Sequence, residues 1–157
     1  MKTKKVMVAA LGTALVLFGQ ANAGGKELAK HQVPKAVLEA FEKAHPGAKG
    51  VKFEQEALEG KTAYEVEYKE SGREYDFLYG ADGTLLRKEE EIDAKALPET
   101  VVQAVMKAHP KARIEEAEKV MQPDGTVSGY EVEIKVGGKE LELELDTSGK
   151  ILTTERD

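Results

Sequence analysis

Apolar positions along this chain follow helical spacing and then two-residue alternation, and this order occurs twice. They first recur at three- and four-residue intervals after Pro34 and again after Pro98, which predicts two amphipathic helices. Each proline suits a first helical turn, where its missing N–H costs no hydrogen bond. A His-Pro pair, at His45 and at His109, closes each predicted helix, because the residue before a proline disfavours helical conformation. The two apolar stripes are Val33, Val37, Ala40, Phe41 and Ala44, and, 64 positions later, Leu97, Val101, Ala104, Val105 and Ala108.

Beyond each predicted helix the apolar positions alternate with charged ones, a pattern typical of strands with one dry and one wet face. A Tyr-Glu-Val-Glu segment starts at Tyr64 and returns at Tyr130, and in both places a glycine-containing turn and a second alternating run follow. This predicts a β-hairpin in each half. Turns at Gly83 and Gly149 lead into a last strand, and an opening strand with a bulge is predicted between each helix and its hairpin.

The repeated pattern predicts an α+β protein built from two tandem repeats. Each repeat is expected to comprise one helix packed on the dry face of a three- to four-stranded antiparallel sheet, over residues 33–92 and 93–157. Residues 24–32 are polar and are expected to form a flexible lead-in. The pattern is compatible with two separate sheets and with two sheets joined edge to edge.

The first 23 residues have the character of an export signal. Three lysines precede an apolar run over residues 6–18, and Ala21-Asn22-Ala23 supplies the small residues that signal peptidase requires. Cleavage between Ala23 and Gly24 would leave a periplasmic or secreted protein. An apolar run of 13 residues is too short for a helix that spans a bilayer of about 30 Å, and no later stretch comes close, so no membrane insertion is expected after cleavage.

Composition excludes several classes of partner and chemistry. Without the signal peptide the chain keeps 20 basic and 29 acidic residues, and such a chain repels nucleic acid. The absence of cysteine rules out disulfides, thiol nucleophiles and iron–sulfur ligation. No serine lies in a G-x-S-x-G elbow, and neither a phosphate-binding loop nor a dinucleotide-binding glycine motif is present. We therefore expect no enzyme activity and no cofactor.

Candidate metal ligands are better explained by structure. His45 and His109 end the two predicted helices, where a histidine favours the negative end of the helix dipole. The Asp-Gly pairs at Asp82 and Asp124 lack the spacing of a calcium loop and suit hairpin turns. No metal site is predicted from these residues.

The wet face of the predicted sheet carries one sign of charge. Its partner-binding candidates are Glu65, Glu67, Asp76, Glu131, Glu133, Glu142 and Glu144, which point away from the helices by the two-residue alternation of a strand. One interpretation is a solvated face relieved by cross-strand ion pairs. The other is a surface that attracts a cationic partner and accelerates the encounter.

The whole pattern resembles the PepSY-like, beta-lactamase-inhibitor-like proteins of the bacterial envelope. The markers are a helix that ends in His-Pro-x-Ala, a Tyr-Glu-Val-Glu strand and a glycine turn, each present twice between Val33 and Asp157. The resemblance implies helix-plus-sheet units whose exposed sheet face holds another protein. Related modules in protease propeptides imply inhibition or modulation of an envelope enzyme.

These observations predict an exported, non-enzymatic binding module that engages an envelope protein or peptide through its exposed acidic sheet face, and that inhibits or modulates a hydrolase. The alternative is a periplasmic binder of a small ligand or cation, such as calcium or a cationic peptide. The terminal strand over residues 150–156 would allow a second copy to pair, so a monomer or a weak dimer is expected.

Overall fold

The computed structural model describes residues 25–156, so the predicted signal peptide lies outside the described residues. The described chain forms two α-helices, two short 3₁₀ turns and nine strands. The order is β1 (Lys26–Glu27), α1 (Lys35–Ala44), β2 (Lys52–Leu58), β3 (Lys61–Glu70), β4 (Arg73–Tyr79), β5 (Leu85–Glu91), α2 (Glu99–Ala108), β6 (Arg113–Met121), β7 (Val127–Val136), β8 (Lys139–Asp146) and β9 (Ile151–Arg156). Neither helix is long and apolar enough to cross a membrane.

The nine strands form a single antiparallel sheet in which the order in space equals the order in the chain. Strand β5 pairs with β6, from Lys88 opposite Met121 to Glu91 opposite Glu118. The chain is thus an α+β protein, but the expected sheets of three to four strands are edge-to-edge parts of one larger sheet.

The segment before α1 differs from the flexible lead-in expected there. Strand β1 pairs with β2, and the N–H of Leu28 donates to the carbonyl of Phe53 at 2.8 Å. The Leu28 side chain is buried, which anchors this segment against the sheet. Sequence patterning missed it because two paired residues and one apolar side chain are too short for a periodic signal.

Both helices begin after a proline and end at a histidine, as the sequence predicts. The N–H of His45 donates to the carbonyl of Phe41, and the N–H of His109 to that of Val105, each at 2.8 Å. The prolines that follow them have no backbone N–H with which to continue either helix.

Each helix contributes to one of two apolar clusters on the same side of the sheet. The first contains Leu28, Val33, Val37, Phe41, Phe53, Val66, Tyr68, Phe77 and Tyr79, and the second contains Leu97, Val101, Val105, Ala117, Val132, Ile134, Leu143 and Leu145. The first is rich in aromatic rings and the second is almost entirely aliphatic. Alternate residues of the same strands must then point to the opposite face of the sheet.

A glycine turn contacts the start of each helix. Gly83 has a φ of +81°, and a Cβ on it would lie 2.5 Å from the carbonyl oxygen of Ala36. Gly149 has a φ of +86° and would place a Cβ 2.7 Å from the carbonyl oxygen of Thr100. Only glycine fits this approach of turn to helix, which fixes each helix over its strands.

The sheet curls toward the face that carries no helix. Arg87 on β5 contacts Glu144 on β8, although three strand intervals of a flat sheet would separate these strands by about 14 Å. Glu56 on β2 interacts electrostatically with Glu155 on β9, strands that would be about 34 Å apart if the sheet were flat. The face without helices is therefore concave.

Candidate functional site

The concave face is lined by carboxylates, and we call this surface the acidic face. By the register of the strands its acidic residues include Glu27, Glu54, Glu56, Glu65, Glu67, Glu74, Asp76, Glu89, Glu91, Glu116, Glu118, Glu131, Glu133, Glu140, Glu142, Glu144 and Glu155. They alternate with the core positions of the same strands, so the residues that build the apolar clusters also determine where these carboxylates point.

Like charges lie directly opposite each other across many of the strand pairs. One row runs from Glu67 to Asp76 to Glu89 on β3, β4 and β5. A second row runs over β5 to β8, through Glu91, Glu118, Glu131 and Glu144. Opposed carboxylates on neighbouring strands destabilise a sheet, so this arrangement is not what stability alone would favour.

Arg87 lies within this acidic face and neutralises part of it. Its Nε lies 2.5 Å from Glu89 Oε1, its Nη2 lies 2.9 Å from Glu131 Oε2, and its Nη1 lies 3.3 Å from Glu144 Oε1. Only 13% of the Arg87 side chain is exposed. Burial by itself would lower the pKa of Arg87, but these carboxylates raise it overall, so the guanidinium stays charged.

Lysines at the rim of the acidic face make more exposed ion pairs. Lys52 Nζ lies 2.5 Å from Glu67 Oε1, and Lys69 Nζ lies 2.5 Å from Glu74 Oε2. Lys135 pairs with Glu140 on the adjacent strand. Exposed pairs of this kind contribute little stability, and they leave the centre of the face dominated by carboxylates.

Burial and mutual repulsion raise the pKa of the central carboxyls. Burial, followed by the charges of Glu56, Asp76 and Glu89, raises the pKa of Glu65 to about 9. Burial is also the largest cause of the raised pKa of Asp76, Glu118 and Glu131, with neighbouring carboxylates adding to it. These central carboxyls therefore keep their protons to higher pH than free carboxyls do, because the protein itself does not fully neutralise the charge they would carry.

The structure brings all seven sequence-predicted binding residues onto the acidic face, but with unequal exposure. Asp76 is only 5% exposed, which corrects the expectation that it lies on an exposed surface. The curl of the sheet buries it beneath its neighbours. Glu142 is exposed, whereas Glu65, Glu67, Glu131, Glu133 and Glu144 are half-buried.

Sequence reasoning missed Arg87, Glu89 and Glu118. The β5 sequence has no apolar alternation, so the direction of its side chains is not evident from the pattern. Arg87, Glu89 and Glu91 do have the two-residue spacing of one strand face, which was the available signal. Glu118 lies on β6, whose register shifts and poor alternation obscured its direction.

Three of these carboxylates converge where β4, β5 and β6 meet. One oxygen from each of Asp76, Glu89 and Glu118 lies within 4.8 Å of the others, and we call this group the three-carboxylate cluster. Asp76 and Glu89 are buried and Glu118 is half-buried. Within residues 25–156 this is the one group of His, Cys, Asp or Glu side chains close enough to share a metal ion.

His45 has a structural environment on the other side of the sheet. Its Nδ1 lies 3.0 Å from the Tyr68 hydroxyl, and its ring stacks on Phe41 with centroids 5.0 Å apart. Burial lowers the pKa of His45, although the charge of Glu70 partly opposes this. The interpretation of His45 as a helix-end residue agrees with these contacts.

Family models match most of the described chain. Residues 34–79 match PepSY, the "Peptidase propeptide and YPEB domain", and residues 84–153 match the family described as "Putative beta-lactamase-inhibitor-like, PepSY-like". No functionally curated protein matches the chain.

Solved structures share the fold at low sequence identity. A BLIP-like protein from Bacteroides fragilis is 22% identical with a TM-score of 0.54, covering 79% of this chain and 86% of its own. A protein described as "putative periplasmic" from Bacteroides eggerthii is 14% identical with a TM-score of 0.60, and the match covers 79% of this chain and 88% of that protein. A DUF2874 family protein from Bacteroides uniformis is 15% identical with a TM-score of 0.59, and the match covers 79% of this chain and 89% of that protein. Residues 34–153 of this chain therefore belong to the PepSY and PepSY-like group of domains.

Proposed function

We propose that this protein is an exported, non-enzymatic binding module that holds a cationic segment of an envelope protein or peptide on its acidic face. The observation that carries the proposal is the opposition of like charges across the central strands, such as Glu118 against Glu131. Opposed carboxylates cost stability in the free protein, and a lysine- or arginine-rich segment would relieve that cost on binding.

The shape and charge of the acidic face favour such a partner. A concave surface of one sign concentrates its field and increases the rate of encounter with oppositely charged molecules. Arg87, held by Glu89, Glu131 and Glu144, shows how a guanidinium is accommodated there. An arginine of the partner would find similar carboxylates in the neighbouring rows.

Modulation of a hydrolase is the finer part of the proposal. Support comes from the descriptions of the matching families, which name a peptidase propeptide and beta-lactamase-inhibitor-like proteins. Both descriptions concern domains that associate with an enzyme. The target of this chain is proposed only by class, as an envelope hydrolase with a cationic surface.

Capture from an envelope extract tests the binding surface. The purified protein, immobilised, is compared with a variant that carries Glu131→Gln, Glu133→Gln, Glu142→Gln and Glu144→Gln. A control variant removes four exposed carboxylates outside the acidic face, through Glu39→Gln, Glu42→Gln, Glu59→Gln and Glu99→Gln. Both variants change the net charge equally, so they separate a local surface from overall acidity.

We expect the parent and the control variant to capture the same protein, and the acidic-face variant to lose it. Capture should also weaken as salt is raised, because screening reduces the attraction between exposed charges. Equal capture by all three proteins would exclude the acidic face as the binding surface. Assay of the captured protein with and without added module then tests whether its hydrolase activity falls.

A further inference from the structure

We propose that Asp76, Glu89 and Glu118 bind one calcium ion at the centre of the acidic face. The three carboxylates come from adjacent strands, with Asp76 directly opposite Glu89 and Glu118 opposite Glu91 on the next strand pair. They are separated in the chain by intervals that match no calcium-loop motif. The site is therefore a product of strand register rather than of a local loop.

The spacing of the cluster suits calcium without movement of the strands. Calcium binds oxygen at 2.3–2.6 Å, so two oxygens on one ion are at most about 5 Å apart. The oxygens of the three-carboxylate cluster all lie within 4.8 Å of one another. Magnesium demands near-ideal octahedral geometry at about 2.0–2.1 Å and usually keeps several waters, so a group of three protein carboxylates suits calcium better.

An unpartnered oxygen on a member of the cluster points independently to a ligand. Asp76 Oδ1 is fully buried and has no hydrogen-bond partner within the described residues, and the residue as a whole is 5% exposed. A buried carboxylate oxygen without a donor is unfavourable, and proteins satisfy such groups with a hydrogen bond or a metal ion. Calcium accepts a carboxylate through one or both oxygens, so an ion held by Asp76 with Glu89 and Glu118 would satisfy this group.

The surrounding carboxylates favour a cation at the cluster, where calcium competes with protons. Arg87 approaches from the Glu89 side through its Nε, and Glu131 lies opposite Glu118 on β7. Glu67 and Glu74 act on Asp76 from the neighbouring strands, while Glu56, Glu142 and Glu144 act on Glu89. One guanidinium, shared with Glu131 and Glu144, does not offset this number of carboxylates.

The chemistry of the donors favours calcium over transition metals. All three groups offer carboxylate oxygen, and no cysteine or histidine belongs to the cluster. Oxygen-only sites suit hard cations, whereas zinc and copper favour nitrogen or sulfur. Waters would complete the six to eight ligands that calcium takes, which places the affinity near that of weak extracellular modules, about 10⁻⁴–10⁻³ M.

Proton sharing is the rival explanation. Asp76 and Glu118 are close enough to hydrogen-bond if one of them is protonated. That hydrogen bond would satisfy both carboxyl groups without an ion. The stability of the protein would then depend on pH but not on calcium. The calcium site does not rest on the proposed partner, since binding is measured on the protein alone.

Calorimetric titration of the purified, chelator-treated protein with CaCl₂ at pH 7.5 and constant ionic strength tests the site. We expect one calcium per chain, a rise in Tm with added calcium, and at least tenfold weaker binding of magnesium. Glu118→Gln and Asp76→Asn should each weaken calcium binding at least tenfold. Glu42→Gln removes the same charge from an exposed position on α1, away from the acidic face, and its calcium affinity should stay within threefold of the parent.

Two results would overturn the site. One is the absence of heat and of any Tm change in folded protein at calcium concentrations on the order of 10 mM, tenfold above the weakest extracellular sites. The other is an equal loss of affinity in Glu42→Gln and Glu118→Gln, which would indicate diffuse attraction of counterions. Circular dichroism confirms that each variant is folded, and the calcium-free Glu118→Gln protein should be at least as stable as the parent because a repelling charge is gone.

Discussion

Arg87 on β5 and Glu144 on β8 contact each other across the curled sheet, with 3.3 Å between Nη1 and Oε1. This contact exists only because the sheet bends toward its acidic face. It links β5, a strand of the first repeat, to β8, a strand of the second repeat. The guanidinium thus holds the two repeats together across the concave face and also neutralises part of its negative charge.

Replacement of Arg87 by Met should destabilise the protein strongly. The change leaves Glu89, Glu131 and Glu144 without their shared cation while nearly preserving side-chain volume. Breaking a buried pair in this way costs about 3–5 kcal/mol. Urea denaturation at pH 8 measures the loss in the free energy of unfolding.

Lys52→Met is the matched comparison for that experiment. Lys52 also pairs with a carboxylate of the acidic face, but 60% of its side chain is exposed. Its loss should change the free energy of unfolding by no more than about 1 kcal/mol. Similar losses for Lys52→Met and Arg87→Met would mean that Arg87 is not the main counter-charge of the face.

Stability should rise as the pH is lowered from 9 to 6.5. Carboxyls of the acidic face have a raised pKa when folded, so the folded chain holds protons that the unfolded chain has released. Folding therefore takes up protons in this range, and stability falls as the pH rises. Below about 6.5 the lowered pKa of His45 works in the opposite direction. Tm measured by differential scanning calorimetry across this range tests the slope.

Glu65 should account for a measurable part of this dependence of stability on pH. Its pKa is raised to about 9, so Glu65→Gln should stabilise the protein at pH 9 and flatten the dependence between pH 6.5 and 9. Glu140→Gln is the control, because pairing with Lys135 lowers the pKa of Glu140. A slope unchanged by Glu65→Gln would show that Glu65 ionises at its ordinary pKa.

Gly83→Ala should cost more stability than Gly72→Ala. Both glycines have a positive φ, of +81° and +85°, so each alanine pays about 1–2 kcal/mol for the left-handed backbone. At Gly83 the new Cβ also meets the carbonyl oxygen of Ala36, whereas at Gly72 nothing lies within 4 Å. The clash should add about 1–3 kcal/mol. Chemical denaturation of the two variants measures the difference, and equal losses would show that the turn does not press on α1.

Tyr68→Phe should weaken the first apolar cluster by a small, definable amount. The change removes the hydroxyl that lies 3.0 Å from His45 Nδ1 and leaves the ring in place. A single such hydrogen bond contributes about 0.5–1.5 kcal/mol. Thermal unfolding of the variant measures this loss, and a more stable variant would mean that the hydroxyl is not satisfied by His45.

The elements with strong periodicity were predictable from the sequence. The apolar stripes of α1 and α2, their ends at His45 and His109, and the central hairpins follow from local rules about spacing and proline. The direction of the acidic side chains also followed, since the alternation of a strand leaves no other face for Glu131 and Glu133.

What escaped prediction depends on contacts between distant parts of the chain. The pairing of β5 with β6 joins segments without apolar alternation, so nothing local marked it. The burial of Asp76 follows from the curl of the whole sheet, which no short window of sequence encodes. The three-carboxylate cluster was invisible for the same reason, because its members share neither a motif nor a repeat position.

The meandering strand order bears on how this polypeptide acquires its structure. Every strand bonds only to the strands before and after it in the chain. Each pairing step then closes a short or moderate loop, so the entropic cost of bringing partners together stays low at every stage. Assembly can proceed by successive addition of neighbours, and no strand must wait for a distant segment to be synthesised.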